Sequence, residues 1–145
     1  MPTQIDIKNL PIGFQSVISN GRHAILGDEP VKSKGTDLGF SPTELVLAGL
    51  AMCKVATVRF IARKEGWEVG EVNATLQQKV KRLPEGKLIT HVEVVMDIEG
   101  DLTEEQRERL MYEADHCYVH RMIEGEWNID EAVSAAHLEE ELITT

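Results

Sequence analysis

Cys53 and Cys117 are the two cysteines of this 145-residue chain, and they are where nucleophilic chemistry would have to start. Cys53 lies in "SPTELVLAGLAMCKVATVRFIARKEGW", among the small residues Gly49, Ala51, Ala56 and Thr57. Cys117 lies in "HCYVHRMI", flanked by His116 and His120. A cysteine in such surroundings can be a small hydrophobe. Where the surroundings favour its thiolate, it becomes a nucleophile. Zinc is a further option for Cys117 and its histidines, but C-x-x-H without a second ligand pair is a weak signal. The expectation is therefore no metal and no cofactor.

Composition narrows what such thiols could serve. A chain of 145 residues suits one domain with its own core, spanning 1–145. A net charge of −10 argues against a nucleic-acid partner, which needs concentrated Lys and Arg, and 5% aromatics offer few stacking platforms. The start, "MPTQIDIKNLPIG", lacks a basic segment followed by an apolar run, so no export signal is expected. The uncharged run "LVLAGLAMC" stops at Lys54, well short of the roughly 20 residues that span a bilayer, so no membrane partner is expected either. Two cysteines without an export signal point to the reducing cytoplasm, where thiols are kept for chemistry more often than for cross-links.

The elements that would position the thiols follow from local signals. "QIDIKNL", "FQSVIS" and "RHAIL" are short strand candidates, punctuated by Pro11, Gly13 and the Asn20-Gly21 turn pair. "GDEPVKSKGTDLGF" is a loop. Ser41 then caps a long helix, with Pro42 at its first position, Glu44 completing a capping box and Gly66 as the stop. "VNATLQQKV" and "ITHVEVVMDIE" alternate as a hairpin around Pro84 and Gly86, with Val92, Val94, Met96 and Ile98 on one face. A second helix starts after Thr103, with Gln106 as its capping partner, and runs through Cys117 towards "YVHRMIEG". The tail "IDEAVSAAHLEEELITT" is either a short acidic helix or loose. The fold class is α+β: strands, a central helix, a hairpin, a second helix.

"SPTELVLAGLAMC" resembles the P-x-E-L-x-L-x(5)-C signature of the osmotically inducible protein C and organic hydroperoxide resistance superfamily. "HCYVHRMI" resembles its second motif, usually C-P-V-H, with Tyr118 in place of the Pro; the likeness covers residues 14 to 130. The resemblance implies an intertwined homodimer with its reactive sites at the subunit interface. It implies a stress-response antioxidant peroxidase for organic hydroperoxides, with Cys53 peroxidatic, Cys117 resolving and an external dithiol as reductant. Arg22 occupies roughly the place of the family arginine that pairs with the thiolate; its other reading is a turn residue. Glu44 stands one position past the family glutamate that holds that arginine, and its other reading is the capping box alone. Cys53 is too far past Ser41 for its own helix dipole to act on it, which leaves Arg22, and after it Lys54 and Arg59, as candidate cations. Two alternatives remain: a non-peroxidase of this fold with other small-molecule thiol chemistry, and a binding or structural dimer.

Overall fold

A computed structural model describes residues 2–136 together with 138 and 143; of the acidic tail, residues 137, 139–142, 144 and 145 lie outside the described residues. The chain begins with an antiparallel meander of three short strands, β1 (Asp6–Asn9), β2 (Ser16–Ser19) and β3 (Ala24–Gly27). A loop with one 3-10 turn (Val31–Ser33) leads to α1 (Pro42–Glu65). A long antiparallel hairpin follows, β4 (Val72–Arg82) paired with β5 (Leu88–Ile98). Two helices close the described core, α2 (Glu104–Ala114) and α3 (Tyr118–Glu124).

The ends of these elements are set by their own side chains. Ser41 N–H donates to Glu44 Oε1 at 2.9 Å while Ser41 Oγ accepts from Glu44 N–H, which closes the expected capping box. Gly66 ends α1 in the left-handed region at φ 76°, returning its N–H to the last turn, and Trp67 N–H bonds Ala62 O at 2.8 Å. Thr103 and Gln106 repeat the box on α2.

The hairpin's register places Val72 opposite Ile98 and Ala74 opposite Met96, so one face of the ribbon packs on the helices. Val58, Ile61 and Ala62 of α1, Ile98 of β5, and Leu110 and Ala114 of α2 form the core, with Trp67, Val72, Met96 and Leu102 around it. Arg59 donates to Val69 O at 2.7 Å and Gly70 O at 2.6 Å, and Arg107 donates to Ile98 O and Gly100 O. These two guanidinium clasps fix the open end of the hairpin to the helices. Arg59 is thereby committed to backbone carbonyls and stands apart from the thiols.

Asp28 organises the loop that feeds α1. It is only 3% exposed, and its carboxylate accepts from Phe14, Glu29, Thr36 and Leu38 N–H and from the Thr36 hydroxyl. These hydrogen bonds, the Thr36 hydroxyl first among them, hold its carboxyl far below the usual aspartate range.

α1 carries two apolar faces. At about 100° per residue, Leu50, Lys54, Val58 and Ile61 fall on one side and are buried. Gly49, Met52, Ala56 and Phe60 fall on the other and are exposed. By length and hydropathy α1 could also cross a bilayer. A lysine hydrogen-bonded within its packed face, and strands and helices against that face, make it a core helix.

Candidate active site

The sequence predicts one continuous helix through Cys117, and the structure breaks it there. α2 ends at Ala114, Cys117 is extended at φ −65° and ψ 156°, and α3 begins at Tyr118. No proline is required. Lys54 Nζ reaches across from α1 and donates to Ala114 O at 3.0 Å, so the carbonyl that Tyr118 N–H would take in a continuing helix has another partner.

That break brings the two cysteines together. Cys53, half-buried on α1, accepts a hydrogen bond at its Sγ from Val119 N–H at 3.4 Å, in the first turn of α3. Cys117 is 2% exposed and lies near Cys53. Burial raises the Cys117 thiol above its ordinary range, and the neighbouring Cys53 adds to that. Lys54 and the His120 N–H act in the opposite direction, although the His120 contact falls short of a capping hydrogen bond. Both thiols are free. The donor to Cys53 thus comes from a second helix, a possibility that counting residues along α1 could not disclose.

Lys54 is the site's charged centre. It is 1% exposed, yet its ammonium has a full set of neighbours: Ala114 O, His120 Nδ1 at 2.9 Å and Asp115 Oδ1 at 3.9 Å. An ammonium has no lone pair to offer, so His120 Nδ1 must accept from it. His120 Nε2 then carries the proton and donates to Glu124 Oε1 at 2.8 Å. A 320 Å³ cavity walled by Leu50, Val92, Val94 and Ile123 borders the Lys54–His120 pair on one side.

The other two expected site residues stand elsewhere in the protomer. Arg22 is exposed in the β2–β3 turn, where its N–H bonds Asn20 Oδ1 at 2.9 Å. Among the described residues no hydrogen bond or ion pair joins its guanidinium to Cys53, Cys117 or Glu44. Glu44 is in its capping box, and the Ser41 N–H it accepts lowers its carboxyl below the ordinary range. His116 bonds Tyr112 O at 2.7 Å. Among the described residues no cluster of three or more His, Cys, Asp or Glu could hold a metal ion.

A family model for OsmC-like protein matches residues 35–132, a span that holds both cysteines, Lys54 and His120. The chain belongs to the OsmC-like family. No curated protein sequence matches it. Its fold is similar to the OsmC-like protein from Mycoplasma pneumoniae, at TM-score 0.70 and 18% identity over 86% of this chain and 90% of that one. It is also similar to an organic hydroperoxide resistance protein OsmC from Legionella pneumophila, at TM-score 0.65 and 21% identity over 86% and 90%. The organic hydroperoxide resistance protein OhrB of Bacillus subtilis gives TM-score 0.63 and 17% identity over 87% and 93%. This OsmC-like chain therefore has the α+β fold of the family, and Glu44, the cysteines and Lys54 all lie within the matched span.

Proposed function

We propose that this OsmC-like protein is a cysteine peroxidase for organic hydroperoxides that works as a cytoplasmic homodimer. The observation that carries the reading is the meeting of two free thiols from distant segments, with Cys53 Sγ already holding a backbone N–H from α3. The names of two similar structures, organic hydroperoxide resistance proteins, point the same way. In the first step the Cys53 thiolate attacks the distal peroxide oxygen, the O–O bond breaks, and the alkoxide leaves to be protonated as an alcohol. Cys117 then displaces water from the Cys53 sulfenic acid to give a disulfide, and an external dithiol returns both thiols by exchange.

The dimer is supported by what the protomer leaves open. An added Cβ at Gly49 would meet nothing within 4 Å, so the smallness of that residue serves no packing inside the protomer. A 270 Å³ gap lined by Phe14, Ile18, Phe40 and Leu45 separates the N-terminal sheet from the start of α1. A second copy covering the Gly49–Phe60 stripe would wall in Cys53, which lies at the edge of that stripe. Arg22 would reach the thiolate only across such an interface, and Glu44 would hold it there.

The test is consumption of an alkyl hydroperoxide by the purified protein with a dithiol reductant. Cys53→Ser should lose turnover, and Cys117→Ser should consume about one equivalent and stop with Cys53 oxidised. Full steady-state turnover by Cys53→Ser would exclude the assignment. No peroxide consumption by a folded, fully reduced wild type would favour other thiol chemistry or a binding role.

A further inference from the structure

We propose that Lys54 is the positioning residue for disulfide closure: its buried ammonium, held by Ala114 O and His120, stabilises the Cys117 thiolate as it attacks Cys53. The proposal rests on the reading of Cys117 as a resolving thiol. Its geometry is independent of peroxide. Lys54 follows Cys53 directly on α1, and its Nζ is bound to Ala114 and His120, the residues three before and three after Cys117. The two residues that hold the ammonium therefore flank the thiol that must ionise for closure, in a site where burial opposes ionisation. A lysine removed from water this completely has a large desolvation cost, which a hydrophobic side chain at the same place would avoid. A role for the charge accounts for its being there.

In the step itself a proton leaves the Cys117 sulfur, the resulting thiolate attacks Cys53 Sγ, and the S–O bond of the sulfenic acid breaks. The departing hydroxide takes up one proton and becomes water, so the proton lost by Cys117 balances the one gained. No electron acceptor is needed, because the sulfenic acid is itself the oxidant of the second thiol. The charged and titratable groups facing Cys117 are Cys53 and Lys54 from α1, Asp115 from the α2–α3 connection and His120 from α3, with Glu124 behind His120. Asp115 is largely exposed, which leaves the buried ammonium as the stronger influence.

Closure can be read in two ways on the full-length protein. In one arm, reduced protein receives one equivalent of cumene hydroperoxide and is quenched with an alkylating agent over time, and mass spectrometry follows the sulfenic acid and the disulfide. In the other, dithiobis(nitrobenzoate) forms a mixed disulfide with the more exposed Cys53, and Cys117 then expels the second nitrothiobenzoate, whose release is followed by absorbance. Lys54→Met should slow both closures about tenfold or more at neutral pH, and raising the pH should recover the rate, since the rate follows the thiolate fraction. Lys54→Arg, which keeps the charge, should close faster than Lys54→Met. Should Lys54→Met not fold, Lys54→Gln keeps a donor without the charge and carries the same comparison. Wild-type closure rates and pH dependence in the neutral variant, or an arginine variant no faster than methionine, overturn the proposal. If wild type ignores the peroxide but its second nitrothiobenzoate release depends on Lys54, the peroxidase reading fails and the role of Lys54 stands.

Discussion

If the protein is the proposed dimer, a single charge on the exposed stripe of α1 should take it apart into protomers. Met52 is 71% exposed and Phe60 65% exposed, and both lie with Gly49 and Ala56 on the helix face opposite the core. Full burial of a Met or Phe side chain is worth about 1.5–3 kcal/mol, so with two-thirds of each still open roughly 1–2 kcal/mol per side chain awaits a partner. A two-fold interface uses the same patch twice, and every substitution counts in both copies. Met52→Asp should therefore cost about 2–4 kcal/mol of association, a rise in dimer Kd of roughly thirty- to a thousand-fold before the desolvation of two carboxylates is added. Sedimentation velocity across nanomolar to micromolar concentrations measures it. Glu85→Lys, in the hairpin loop, should change nothing. Gly49→Leu separates the two sides of the reasoning. Its side chain enters open space in the protomer, and Leu favours helix over Gly by close to ~1 kcal/mol, so the isolated protomer should gain stability while the dimer weakens. A wild type that is monomeric and folded at micromolar concentration refutes the interface, and a Met52→Asp dimer of unchanged Kd places it elsewhere.

Asp28→Asn should lower the Tm at neutral pH, because five donors lose their carboxylate. The folded-state pKa of Asp28 is depressed, so its contribution is present above the ordinary value near 3.8 and lost as pH falls below it; the acid limb of a thermal melt should flatten in the variant. Cys117 is raised instead, so the unfolded chain releases this proton first and wild type should lose stability above about pH 9, a loss absent in Cys117→Ala. Leu110→Ala, at a fully buried core position, should cost about 2–5 kcal/mol in chemical denaturation. Arg22→Ala should slow peroxide reduction and leave the Tm unchanged; an unchanged rate makes Arg22 a turn residue.

What the sequence could disclose here tracks how far apart the interacting residues are. Both capping boxes, the left-handed stop at Gly66 and the long hairpin rest on groups within a few residues of one another, and each stands where the local signals put it. Asp28 was legible only as part of a polar loop, since its donors are gathered from both sides of the meander. The helix break before Cys117 had no local signal at all. Tyr118 offers nothing that stops a helix, and the partner that takes Ala114 O is a lysine 60 residues upstream.

Lys54 also changes what α1 means as a pattern. Read along the sequence, it is the charge that ends an apolar run. In the fold it lies on the buried face with Leu50, Val58 and Ile61, while the opposite face is apolar and open. A helix with a polar face turned to water would show one apolar stripe. This one shows two, and the buried charge in its middle points inward to His120 and the α2 terminus. That inversion is what a helix needs if one side packs on its own subunit, the other on a copy, and the chemistry sits on the boundary between them. Cys53 is at that boundary: its Sγ is bonded to α3 and its neighbour on the exposed side is the uncovered stripe. Disrupting the stripe should therefore reduce the reactivity of Cys53 along with the dimer, whereas replacing Lys54 should spare the dimer and slow only the closure by Cys117.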